Sequence, residues 1–107
     1  MIYYIDIDGT ICDQEKGRHY SLSKPYIERI EHFNKLHDNG NEIHYWTARG
    51  MESGVDHSEL TREQLKEWGV KYTSVNFKKP HYDIWIDDKA QNVDDYFEQK
   101  KLDNDKY

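Results

Sequence analysis

The chain has 107 residues, 34% charged and 36% hydrophobic, with a formal net charge of −6, length for one domain and no second one. The negative balance argues against nonspecific nucleic-acid binding, which draws its affinity from Lys and Arg neutralising phosphates, but it leaves room for a small phosphorylated ligand because a metal ion reverses the local sign. A lone Cys12 excludes an internal disulfide, and no stretch approaches the ~20 apolar residues of a membrane span; a soluble, cytoplasmic protein with no membrane partner is expected.

Residues 2–7, IYYIDI, have the length and β-branched content of a buried strand. Residues 11–24 are polar and irregular, long for a strand-to-helix loop. A helix is expected next, with Ser23 as cap, Pro25 in the first turn, Ile27, Ile30, Phe33 and Leu36 facing inward, and Asn39-Gly40 as its stop. EIHYWT, 42–47, reads as a second strand. Thr61 and Gln64 stand at capping-box spacing, with Leu60 and Leu65 placed as a hydrophobic staple, predicting a helix that runs to Trp68 and stops at Gly69. A short strand is expected near 72–75, and YDIWID, 82–87, as a further one. Ala90, Val93 and Phe97 mark a last helix, and LDNDKY, 102–107, a frayed, solvated tail.

Strands alternating with helices predict a single three-layer α/β/α domain over 1–107, a parallel sheet with helices on both faces. Ligands bind such sheets beyond the carboxyl ends of the strands. The misplaced polar groups gather at that rim: Asp6 and Asp8 after strand one, Thr47 after strand two, Lys79, then Asp87 and Asp88. Carboxylates converging without a partner raise one another's pKa values, and a divalent cation removes the conflict. Oxygen-only ligands suit Mg²⁺. Gly9 lets the chain turn sharply and approach a ligand.

Four segments in this order, DIDGT (6–10), YWTARG (45–50), KKP (78–80) and IDDKA (86–90), resemble the motifs of the haloacid dehalogenase superfamily of phosphotransferases. The resemblance spans most of the chain. It implies a HAD-like, Rossmann-like fold and a Mg²⁺-dependent phosphomonoester hydrolase. Asp6 would be the nucleophile, taking the phosphoryl group as an aspartyl phosphate, and Asp8 the general acid and then base. Thr47 would bond the phosphoryl oxygens and Lys79 neutralise charge. Gly9, Ala48 and Arg49 would bind substrate, and Asp6, Asp8, Asp87 and Asp88 would hold the metal. Lys79 is preferred to Lys78 because Pro80 follows it. The gaps 11–24 and 51–77 leave no room for a cap domain, so the chain is similar to the capless members. WTARG and KPHYDIWIDDKA bring it closest to the short phosphatases of bacterial capsule and surface-polysaccharide synthesis, which implies a sugar phosphate or related metabolite. Alternatives are a phosphatase of nucleic-acid ends or phosphoproteins, and a silent metal- or phosphate-binding module. Pairing into a homo-oligomer is open.

Other residues admit plainer readings. A DxD pair alone is usually a polar turn, and phospho-receiver domains place their adjacent acidic pair on the first strand, not the last. Arg49 suits substrate phosphate or a rim salt bridge equally. Arg18 and His19 suit a closing flap less well than a solvated loop. Cys12 reads as a small buried residue. His19, His32, His37, His44, His57 and His81 repeat no zinc-ligand spacing. Tyr3, Tyr4, Tyr45, Trp46 and Trp85 suit core packing better than a sugar platform.

Overall fold

β1 (Ile2–Asp6) lies parallel to β2 (Glu42–Trp46), with Tyr3 beside Ile43 and Ile5 beside Tyr45; β2 in turn pairs in parallel with β3 (Ser74–Asn76). These strands, with helices α1 (Ile27–Asp38), α2 (Ser58–Glu67) and α3 (Val93–Asp105), make up a computed structural model that describes residues 1–105 and the side chains of 1–100. The sheet order is β1-β2-β3, so β1 is an edge strand among the described residues.

Side chains alternate across a strand, and here the two faces differ in chemistry. Ile5, Ile7, Ile43 and Tyr45 form one core cluster with Ile30 and Phe33 of α1 and Leu65 of α2. Tyr96 and Phe97 of α3 pack on Phe33. All three helices therefore cover one face. The opposite face carries Tyr4 stacked on His44, with centroids 5.0 Å apart, and Trp46 edge-on to Tyr4. Tyr4 is 67% exposed. The described residues form an α/β fold of two layers, where helices on both faces were expected. The cause lies in β1 and β2 themselves, whose even-numbered positions after Ile2 are Tyr4, Asp6, Glu42, His44 and Trp46, polar or aromatic rather than aliphatic.

Local differences follow from competing bonds. α1 starts at Ile27, not at Pro25, because the preceding residues stay extended: Tyr26 N–H donates to the Ile11 carbonyl at 2.8 Å and Asp13 N–H to that of Lys24 at 2.9 Å. Ile30 and Phe33 are buried as expected and Ile27 is half-exposed. Asn39 and Gly40 end the helix as expected. α2 begins one turn early, after His57, and carries Thr61 and Gln64 inside it. β3 is shifted to Ser74–Asn76, and Tyr72 packs edge-on against Tyr45.

The expected strand at 82–87 does not form. Residues 77–92 contain no helix or strand, and Ile84 and Ile86 are 77% and 92% exposed. α3 runs through Asp105; the expected solvated character of 102–107 lies outside the described residues. No helix among the described residues is long and apolar enough to cross a membrane.

Candidate active site

Just past β1, the chain closes a tight turn. Thr10 and Ile11 N–H donate to the Ile7 carbonyl at 3.1 and 3.0 Å, and Gly9 N–H donates to the Cys12 carbonyl at 2.9 Å. Gly9 sits at φ +82°, a conformation that side chains disfavour. Its N–H is spent on the turn, and Gly9 is not among the residues that line the cleft described below.

Asp6 and Lys79 meet at this end of the sheet, Lys79 Nζ lying 3.1 Å from Asp6 Oδ1. Lys79 N–H donates to the Thr47 carbonyl at 3.2 Å. Its ammonium lies over the rings of Trp46 and Tyr82, 5.5 and 5.2 Å from their centroids. The lysine is buried. Burial pushes the Asp6 carboxyl above its ordinary range, Lys79 opposes that rise, and Asp8 adds to it. Lys78 points its backbone N–H at Asn76 Oδ1 instead.

Asp8 is held from the other side. Arg49 Nη2 donates to Asp8 Oδ1 at 2.8 Å and Nε to Oδ2 at 3.0 Å. Arg49 Nη1 donates to Thr61 Oγ1 at 3.0 Å and to Gln64 Oε1, and the guanidinium lies over the Tyr20 ring. Gln64 Nε2 donates to the Tyr20 carbonyl at 2.6 Å, tying α2 to the loop before α1. The Arg49 side chain is fully buried. Of its two expected roles, the salt bridge is formed. Arg49 also lines the cleft described next, with its donors serving Asp8, Thr61 and Gln64. Cys12 is buried with Sγ 3.6 Å from Asp8 Oδ1. Burial first, then the neighbouring Asp8, push its thiol up to about 12. That is an inert thiol.

Asp6, Asp8, Ala48, Arg49 and Lys79 line one cleft of about 660 Å³. Thr47 does not line it. It is buried, and its Oγ1 accepts from Arg49 N–H at 3.1 Å, so it shapes the turn that carries Arg49. Gln14, Tyr20, Glu52, Ser53, His81 and Tyr82 also line the cleft. None was singled out as a site residue. They lie on irregular segments, where no periodicity shows which way a side chain points. Arg18 pairs with Asp13 and Glu15 within its own loop, and His19 Nδ1 accepts from Ser21 N–H at 3.1 Å. Neither lines the cleft.

Asp87 and Asp88 are not brought to the cleft. Both are exposed, and Asp87 Oδ1 accepts from Lys89 N–H at 2.8 Å. Among the described residues no group of three or more His, Cys, Asp or Glu side chains gathers to hold a metal. Asp6 and Asp8, paired to Lys79 and Arg49, are two committed carboxylates. Asp6 and Asp8 are the two carboxylates of the expected set that share the cleft, and Mg²⁺ commonly takes one or two carboxylates and keeps several waters.

No protein-family model matches the chain, and no curated protein does. A crystal structure of a target protein from Vibrio cholerae is similar in fold, with a TM-score of 0.78 at 24% identity over 99% of this chain and 98% of that one. That likeness carries the α/β fold and stops there.

Proposed function

We propose that the chain is a phosphomonoester hydrolase working through an aspartyl phosphate on Asp6, with a small phosphorylated sugar or related metabolite as substrate. The observation that carries this reading is the Lys79 ammonium 3.1 Å from the Asp6 carboxylate on an open cleft at the carboxyl end of the sheet. A carboxylate able to attack phosphorus stands beside a cation able to take up phosphate charge. The order of the four motifs adds to it.

In this scheme an Asp6 oxygen attacks phosphorus and the bond to the leaving oxygen breaks. Asp8, entering the step protonated, gives that oxygen its proton. Asp8 then takes a proton from water, the water oxygen attacks the acyl phosphate, and phosphate leaves with Asp6 restored. Arg49 fixes where the Asp8 oxygens sit, and Lys79 offsets charge on the transferring group. A cleft of about 660 Å³ is of the size that holds small molecules. Its Gln14, Glu52, Ser53 and His81 side chains offer donors and acceptors to a ligand rich in hydroxyls.

The test is phosphate release from a panel of sugar phosphates, nucleotides and phosphopeptides in magnesium buffer. The native protein is expected to turn over a sugar phosphate, and Asp6→Asn to lose turnover while keeping its circular dichroism spectrum. Ordinary turnover by Asp6→Asn would rule out the covalent scheme.

A further inference from the structure

Residues 77–92 contain no helix or strand, yet one stretch of them is fixed on the sheet by aromatic rings. Trp85 lies edge-on to Trp46 of β2, with ring centroids 5.6 Å apart, and packs on Tyr82 at 5.1 Å. Trp46 and Tyr82 in turn flank one cation. Lys79 Nζ stands 5.5 Å from the Trp46 centroid and 5.2 Å from that of Tyr82. Both distances fall within the ~6 Å over which a ring face attracts an ammonium. Tyr82 thus turns back over the lysine that precedes it, and Trp85 ties Tyr82 to the strand.

A lysine ammonium sits on a flexible stem and carries three N–H donors. Left to solvent it samples many rotamers, and fixing one of them when a ligand arrives costs free energy. Here that freedom is removed in advance. Lys79 is buried, and its backbone N–H is bound to the Thr47 carbonyl. Asp6, at 3.1 Å, is the one ion-pair partner of its ammonium among the described residues. The rings supply the rest of the restraint. A π face attracts the charge without accepting N–H bonds as an oxygen does, so it steers the ammonium and leaves donors for a ligand. A second carboxylate in the same place would take those donors up.

We propose that Trp46, Tyr82 and Trp85 form an aromatic clamp that positions the Lys79 ammonium beside Asp6 on the cleft. Trp46 and Tyr82 hold the charge, and Trp85 braces those two rings. All three are positioning residues, acting through Lys79. The clamp stands on the geometry; its use, presenting free N–H donors to a phosphoryl group, rests on the phosphatase reading.

Amine labelling followed by peptide mass spectrometry tests the clamp without any substrate. In the native protein a water-soluble acylating reagent should modify Lys79 far more slowly than the exposed Lys78 beside it. Tyr82→Ala and Trp85→Ala should each speed Lys79 severalfold and leave Lys78 unchanged, while Tyr82→Phe, which keeps the ring, should match the native protein. Tyr82 and Trp85 are 42% and 41% exposed, so these variants are expected to keep the native circular dichroism spectrum. Native Lys79 labelling as fast as Lys78, or a rate that neither alanine variant changes, would overturn the clamp. On the sugar phosphate turned over in the panel, Tyr82→Leu fills the volume without a π face and should lower kcat/KM about tenfold, the weight of one desolvated cation–ring contact. Tyr82→Phe should keep the native value, and equal losses in the two would overturn the role of the ring. The expected labelling pattern in a protein without any phosphatase activity would sink the phosphatase reading and leave the clamp standing.

Discussion

Arg49 joins Asp8 to α2: its Nη2 lies 2.8 Å from Asp8 Oδ1 while its Nη1 lies 3.0 Å from Thr61 Oγ1. The guanidinium is a buried strut whose planar fork serves a carboxylate on one side and a helix on the other. A lysine ammonium has no such fork.

Arg49→Met is therefore expected to destabilise the fold by about 3–5 kcal/mol, the usual cost of stranding one partner of a buried ion pair. Arg49→Lys should recover only part of the loss. Urea denaturation of the three proteins measures this. Equal midpoints would mean that the strut carries no stability.

Gly50 stands at φ +83°, and a Cβ there would lie 2.0 Å from the Val55 carbonyl oxygen; Gly54, at φ +76°, has nothing within 4 Å of its own. Gly54→Ala should cost about 1–2 kcal/mol, the backbone strain alone. Gly50→Ala should cost clearly more, because the 50–55 loop must also move. Thermal melts of the pair separate the two terms, and equal losses would contradict the account.

His32 sits among Phe33, Tyr96 and Phe97. Burial, then Lys100 and Lys35, hold its pKa below the ordinary 6.5. The folded state thus binds fewer protons than the unfolded chain just below pH 6.5, so stability is full above that value and falls as pH drops beneath it. His32→Gln removes the titration. The native melting temperature should fall more than the variant's between pH 7.5 and pH 5. Parallel profiles would contradict the account.

Tyr45 is buried at the centre of the core, and its hydroxyl finds no hydrogen-bond partner among the described residues. An unsatisfied buried hydroxyl costs free energy that phenylalanine does not. Tyr45→Phe is expected to be neutral or to stabilise by about 1 kcal/mol, read from the melting temperature. A clear loss would mean that the hydroxyl has a partner.

What was legible in the sequence was local or carried by strand ends. β1, β2 and the Asn39-Gly40 stop follow from residue type and periodicity, and Lys79 rather than Lys78 reaches Asp6. What was not legible depends on contacts distant along the chain. Thr61 and Gln64 have capping-box spacing, yet they serve a guanidinium 12 and 15 residues earlier, and local spacing cannot distinguish the two uses. Alternation at 82–87 is a true strand pattern, but pattern does not supply an edge to pair with. The open aromatic face was missed for a related reason: a run of Ile and Tyr looks continuously apolar until Tyr4 is seen to face water.

The central claim is that Asp6 becomes phosphorylated, and chemical trapping tests it most directly. After brief turnover of a substrate found in the sugar-phosphate panel, acid quenching and peptide mass spectrometry should find one acid-stable, hydroxylamine-labile phosphoryl group on the peptide containing Asp6, and none in Asp6→Asn. Steady turnover with no modified peptide, or with the group on another residue, would contradict the account.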